Sequence, residues 1–188
     1  MVLDLLGAGS NASVYMVRDQ EGGGTRALKL LDATGATQVD RLMNEAAIQI
    51  SLRHQNVVEV YEVVQTDTHL ALIMEFVDGP TLSEVLAKRE LSFDEIDNLG
   101  QGILRGVRAA HRHNTVHRDL KPSNILLQRT ASGLVPKVSD FGLAKVLRRG
   151  APGGNSITKS GQVMGSPPFM SPEQIRDSKT VDARTDIF

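Results

Sequence analysis

His117-Arg118-Asp119-Leu120-Lys121-Pro122-Ser123-Asn124, followed by Asp140-Phe141-Gly142, is the part of the chain whose reading decides the rest. It supplies two carboxylates, an amide and an ammonium group at fixed separations. Asp119 can accept a proton. Asn124 and Asp140 offer hard oxygen ligands, which suit Mg²⁺ better than sulfur or imidazole would. Lys121 can meet a transferring phosphoryl group. Phosphoryl transfer asks mainly for positioning and charge neutralisation, and this set provides both. Each fragment alone has an ordinary reading, Asp-Phe-Gly as a turn and Asp-Leu-Lys-Pro-Ser-Asn as a loop with helix-capping residues. Together, in this order, they argue against the ordinary readings.

Upstream, Val2-Leu3-Asp4-Leu5-Leu6 reads as a strand that feeds Gly7-Ala8-Gly9-Ser10-Asn11-Ala12-Ser13-Val14. That run also fits a dinucleotide fingerprint with Ala in the last place, and Asp32 lies near the distance of a ribose-binding acid. A dinucleotide site requires a helix opening inside the glycines. Here Ser13-Val14-Tyr15-Met16-Val17-Arg18 is β-branched and aromatic instead, without helical periodicity. Gly22-Gly23-Gly24 then turns the chain into another strand, Arg26 to Leu31, so this part is an antiparallel meander. In it the glycines form a hairpin lid whose backbone N–H groups can approach phosphates closely, because no Cβ obstructs them. There is no Gly-Lys dipeptide, which excludes the P-loop of ATPases and GTPases.

Gln38 to Leu52 reads as a helix, with Val39, Leu42, Met43, Ala46 and Ile50 on one stripe and Glu45 beside it. Lys29 on the preceding strand either faces solvent or takes Glu45 as its ion-pair partner. Glu45 could instead pair with Arg41 one turn earlier. Two further strands, Val57 to Val64 and Leu70 to Val77, complete a set of five, and the second is the continuous apolar run of a buried strand. Thr81-Leu82-Ser83-Glu84 and Ser92-Phe93-Asp94-Glu95 both have the capping-box form and mark helix starts. After the second, Ile96, Leu99, Ile103, Val107 and Ala110 recur at helical spacing, giving a long helix ending near His111 that delivers the catalytic loop. Ile125-Leu126-Leu127 and the segment around Lys137-Val138-Ser139 read as a small hairpin that returns Asp140 towards Asp119 and Asn124.

The chain has 188 residues, 40% of them hydrophobic, and a formal net charge of -1, enough for one domain or two small lobes. Near-neutral charge argues against nucleic-acid or membrane-surface partners. No apolar run approaches the roughly 18 to 20 residues of a membrane span, and the N-terminus lacks the basic start and cleavage site of a signal peptide. Cys is absent, so disulfides and thiolate metal sites are excluded. His111-Arg112-His113-Asn114 lacks the companion ligands of a zinc site. These absences and nucleotide chemistry together indicate the cytoplasm, with an anchor elsewhere in a longer parent protein left open.

These motifs resemble the protein kinases over the whole chain, from about residue 2 to Phe188. Lys121-Pro122-Ser123-Asn124 is similar to the serine/threonine branch, and Ser171-Pro172-Glu173-Gln174 to bacterial kinases of the eukaryotic type. The resemblance implies an α+β, two-lobe fold. Residues 1–78 would form a small lobe of five antiparallel strands and one helix. Residues 79–188 would form part of a mainly helical large lobe, incomplete because Asp186 would open its long central helix. The implied activity is transfer of the γ-phosphoryl group of ATP to Ser/Thr hydroxyls of proteins. The competing implication is a kinase-fold fragment that binds nucleotide or serves as a scaffold without turnover, because the rest of the large lobe is missing.

By the same resemblance, Asp119 orients and deprotonates the acceptor hydroxyl, Lys121 stabilises the moving phosphoryl, and Asn124 and Asp140 hold Mg²⁺. Lys29, with Glu45, fixes the α and β phosphates beneath Gly7 and Gly9. Backbone groups of Glu75 and Val77 bond the adenine edge, Met74 guards the back of the pocket, and Leu6, Val14, Ala27 and Leu126 form its walls. The stretch between Gly142 and Glu173 corresponds to an activation segment. In it Thr158 and Ser160, and less so Ser156, are the phosphate acceptors, and Arg118 is the residue type that would clamp the phosphate. Ser166 would bond the catalytic Asp and Lys. Partners implied are ATP, a protein substrate, and a second copy of the chain for trans-autophosphorylation. Two positions depart from the pattern: Ala12 stands where a third Gly is usual, and Gln49 where an apolar side chain usually meets Phe141.

Overall fold

The computed structural model describes residues 1–9, 12–20, 22–32, 36–66, 69–141, 167–176 and 181–188. Strands β1 (Val2–Ala8), β2 (Ala12–Arg18), β3 (Thr25–Asp32), β4 (Val60–Gln65) and β5 (His69–Glu75) form one antiparallel sheet in the order β1-β2-β3-β5-β4. Helix α1 (Ala36–Ser51) connects β3 to β4. In β3 the alternation of a half-buried strand puts Ala27, Lys29 and Leu31 on the buried side. Leu42 and Ala46 of α1 close over that side with Leu70 and Leu72 of β5, forming the first hydrophobic core.

The second part carries α2 (Leu82–Leu86), α3 (Phe93–Arg112), the hairpin β6 (Ile125–Thr130) and β7 (Gly133–Val138), and α4 (Pro172–Arg176), with short 3-10 turns at Pro122–Asn124, Pro167–Phe169 and Ala183–Ile187. Both capping boxes form. Thr81 Oγ1 accepts from the Glu84 N–H at 3.1 Å while the Glu84 carboxylate accepts from the Thr81 N–H at 2.7 Å. Ser92 and Glu95 repeat the exchange at 3.3 and 2.9 Å. Leu52, Val57, Leu99, Val107, Ala110, Ile125, Leu127, Val138 and Phe141 belong to the second core.

The elements depart from the expected ones in places, α1 running Ala36–Ser51 rather than 38–52. β4 begins at Val60 rather than Val57, because residues 56–58 are engaged elsewhere. The Val58 N–H donates to the Val138 carbonyl and the Val138 N–H to the Asn56 carbonyl, both at 2.9 Å, which ties this stretch to β7. β5 ends at Glu75, whose N–H donates to the Glu59 carbonyl at 2.8 Å. On α3, Ile96 of the expected stripe is 53% exposed, whereas Gly102 and Gly106 are buried. A Cβ at Gly106 would lie 2.4 Å from the Asn56 carbonyl oxygen, and one at Gly79 1.8 Å from that of Leu127. Backbone approaches that close leave room only for hydrogen.

Candidate active site

α3 ends at Arg112, and the chain beyond it is held by atoms far away in sequence. The Asp186 carboxylate accepts from the backbone N–H groups of His117 and Arg118, both at 2.8 Å, and lies 2.7 Å from His111 Nε2. Gln174 Nε2 donates to the Arg118 carbonyl at 2.7 Å. Arg118 needs this support, since its φ of 68° lies in the left-handed region. Asp186 itself sits in the short 3-10 turn Ala183–Ile187.

The loop so fixed assembles the predicted acid, cation and amide. Lys121 Nζ is 2.8 Å from Asp119 Oδ2. Asn124 Nδ2 donates to the Asp119 carbonyl at 2.7 Å and to its Oδ2 at 3.2 Å. Pairing of Ile125 with Val138 in the hairpin brings Asn124 and Ser139 opposite each other, and both the Ser139 N–H and its hydroxyl donate to the Asn124 carbonyl, at 2.9 and 3.1 Å. Asp140 is thereby delivered beside the catalytic loop.

His117 fastens the same junction. Its Nδ1 accepts from the Asp119 N–H at 3.2 Å, so Nε2 carries the proton and donates to the Ser139 carbonyl at 2.7 Å. The ring is fully buried and tilted against Phe141, centroids 4.8 Å apart. Burial lowers its pKa against the pull of the carboxylates around it, so the imidazole stays neutral.

From the sheet, Lys29 reaches across to this loop. The register places Val14, Ala27, Lys29 and Met74 on one face, Val14 opposite Lys29 and Ala27 opposite Met74. Lys29 Nζ lies 2.5 Å from Asp140 Oδ1. Burial would raise the Asp140 pKa, but the charge and hydrogen bond of Lys29 outweigh it and hold the carboxyl below its usual range. The expected ion pair of Lys29 with Glu45 is therefore not formed among the described residues. Asp140, which the hairpin pairing brings to within 2.5 Å of Nζ, takes the ammonium instead. Gln49 does not merely stand in for an apolar residue: its Nε2 donates to the Phe141 carbonyl at 2.5 Å.

The apolar walls converge in part. Ala27, Met74 and Val77 are buried in the first core with Val14 and Leu126 packed against it, so residues from both lobes meet there. Leu6 stays 47% exposed on β1. Gly7 lies in β1 and Gly9 just beyond it, where the Gly9 N–H donates to the Ala12 carbonyl at 2.8 Å. Ala12 opens β2 and packs on the first core without obstructing it. Glu75 turns its side chain away to Lys137, 2.8 Å off. Ser156, Thr158, Ser160 and Ser166 lie outside the described residues.

Asp186, Gln174 and Lys137 escaped the sequence reading as site-building residues. Their partners are 68, 56 and 62 positions distant, and no local pattern marks such a contact.

The protein kinase domain family matches residues 1–188. The chain is 32% identical to the serine/threonine-protein kinase pkn2 of Myxococcus xanthus over 100% of its own length and 22% of that protein. It is 34% identical to PrkC of Bacillus subtilis over 93% of the chain and 26% of that protein. With PknB of Mycolicibacterium smegmatis it shares 32% identity over 98% of the chain and 30% of that protein. The chain thus spans less than a third of the length of these relatives. Among solved structures, the kinase domain of Mycobacterium tuberculosis PknI, a C20A_R136A double mutant, superposes with a TM-score of 0.76 at 24% identity, covering 98% of this chain and 66% of that one. No helix among the described residues is long and apolar enough to cross a membrane. The α+β architecture, the five-stranded sheet and the family match agree: this chain belongs to the protein kinase domain family, alongside the eukaryotic-type serine/threonine kinases of bacteria.

Proposed function

We propose that this chain carries the ATP-binding and catalytic parts of a protein kinase that moves the γ-phosphoryl group of ATP to Ser or Thr hydroxyls of a protein. One observation carries the reading: Asp119, Lys121 and Asn124 are hydrogen-bonded into a single cluster, and Ser139 ties Asp140 to it through the Asn124 carbonyl. Asp119 orients the acceptor hydroxyl and takes its proton as the oxygen bonds to phosphorus and the bond to the ADP oxygen breaks. Lys121, already beside Asp119, lies where it can balance charge on the moving group.

The donor set fits Mg²⁺. Asn124 uses its amide N–H groups on Asp119 and so presents its oxygen, which with the Asp140 carboxylate makes two hard ligands. Bound there, the ion would neutralise charge on the phosphates. Lys29 would exchange Asp140 for the nucleotide phosphates, with Glu45 as its counter-ion, beneath Gly7 and Gly9. The adenine would lie against Val14, Ala27, Met74 and Leu126, its edge bonded by backbone groups of Glu75 and Val77, and Leu6 would cover the rim. This reading takes 1–78 and 79–188 as the two lobes, with ATP and a protein as partners and the cytoplasm as the site of action. Phosphorylation at Thr158, Ser160 or Ser156, by a second copy and read by Arg118, would order the segment that holds Ser166.

The test is radiolabel transfer from ATP to a generic protein acceptor by the complete protein. Asp119→Asn should abolish transfer while leaving MgATP binding in place. Transfer within ten-fold of the parent would refute the assignment.

A further inference from the structure

Gln49 is 7% exposed on a stripe of α1 whose other buried members, Leu42 and Ala46, are apolar. Its amide reaches 92 positions along the chain to donate to the Phe141 carbonyl at 2.5 Å, in a buried setting. The peptide it grips follows directly on Asp140, a non-glycine residue at φ 66°. That conformation is uncommon for a side-chain-bearing residue and persists only where surroundings impose it. Two groups from the sheet-and-helix side impose it here: Lys29 on the Asp140 carboxylate and Gln49 on the carbonyl one residue later. The Phe141 ring, 2% exposed, is anchored in the second core and against His117, so the turn cannot swing without breaking one of these contacts.

We propose that Gln49 is a positioning residue. By holding the Phe141 carbonyl it fixes the turn that carries the Asp140 carboxylate, and so sets the divalent-cation requirement of the enzyme. The inference rests on the assignment of Asp140 as a metal ligand made above. An apolar residue of equal size could fill the space but would leave a buried carbonyl without a donor, and the turn would reorient to find one.

The experiment titrates Mg²⁺ in the complete protein, reading both phosphoryl transfer and binding of a fluorescent ATP analogue, with metal-free analogue binding as reference. Gln49→Met keeps length and volume but removes the donor. It should raise half-saturating Mg²⁺ by at least about five-fold, the effect of one lost buried hydrogen bond, with metal-free binding unchanged. Gln49→Leu, which likewise has no donor, should shift the requirement in the same direction, and it decides the matter if the Met variant does not fold. An unchanged Mg²⁺ titration in a folded variant overturns the inference. So does an equal loss of metal-free and metal-dependent binding, which would mark Gln49 as structural only. The underlying assignment fails separately: then Asp140→Asn would leave the Mg²⁺ titration of the parent unaltered.

Discussion

Replacing Asp140 by Asn should silence the enzyme while leaving it folded, and the structure gives the sizes of both effects. Lys29 and Asp140 side chains are 10% and 30% exposed and meet at 2.5 Å. A hydrogen bond to a charged partner contributes about 1.5–3 kcal/mol and a neutral one about 0.5–1.5. Asn retains an acceptor oxygen for the Lys29 ammonium, so only the difference is lost. Because water reaches Asp140, that difference falls at the low end, about 1 kcal/mol. Thermal unfolding should then shift down by about 2–4 °C for a unit of this size. Asp140→Ala removes the acceptor altogether and strands a nearly buried ammonium, which costs about 3–5 kcal/mol in fully buried pairs and should visibly exceed the Asn variant here. On the proposed assignment of Asp140 as a Mg²⁺ ligand, both changes also remove an anionic ligand for the cation that stabilises transferring charge, a contribution of several kcal/mol. Transfer should fall by at least about a hundred-fold. Differential scanning fluorimetry beside a radiolabel assay reads both quantities. If Asn and Ala are equally mild in stability, the Lys29 to Asp140 pair contributes little to the fold. If Asn keeps transfer within ten-fold, Asp140 is not a ligand.

Gly79→Ala places a Cβ 1.8 Å from the Leu127 carbonyl oxygen, and overpacking of this kind should lower stability by about 1–3 kcal/mol or more in urea melts. Ser92→Ala removes the cap of α3 and should cost about 1 kcal/mol by the same measurement. The His117 pKa is lowered by burial, so at neutral pH neither state is protonated there. As pH falls through about 6.5 the unfolded chain takes up a proton that the native one refuses, and stability should decline by up to about 1.4 kcal/mol per pH unit. Urea melts between pH 7.5 and 5.5 test the sign, and His117→Phe should flatten that slope.

Much of the fold was readable because its signals are local. A capping box needs only four consecutive residues, and Thr81 and Ser92 both cap where expected. The choice of a meander over a dinucleotide fold turned on the β-branched run after Gly9, and β2 begins at Ala12. What stayed illegible depends on how separate elements settle against each other. Ile96 matched the periodicity of α3 yet faces outward, while Gly102 and Gly106 occupy the buried side. Glycine adds nothing to a hydrophobic pattern, so a face selected for close backbone approach is invisible to it. The partner of Lys29 was missed for a related reason. Sequence pointed to Glu45 on the next helix, whereas the carboxylate that Lys29 meets is Asp140, 111 positions away and brought to it by the β6–β7 hairpin.

The site itself shows why its motifs are insufficient as instructions. Arg118 and Asp140 both adopt left-handed backbone conformations, each at a cost on the order of 1–3 kcal/mol. No residue within the two motifs could stabilise that geometry alone. Asp186 takes the N–H groups of His117 and Arg118, Gln174 takes the Arg118 carbonyl, and Gln49 takes the Phe141 carbonyl. The strained peptides are thus held by polar side chains from three other segments. A buried peptide group left unmatched costs more than one hydrogen bond gains, so each of these links resists rotation of the peptide it grips. In the proposed reaction the motif residues supply the chemistry, and distant residues hold the peptides that carry them.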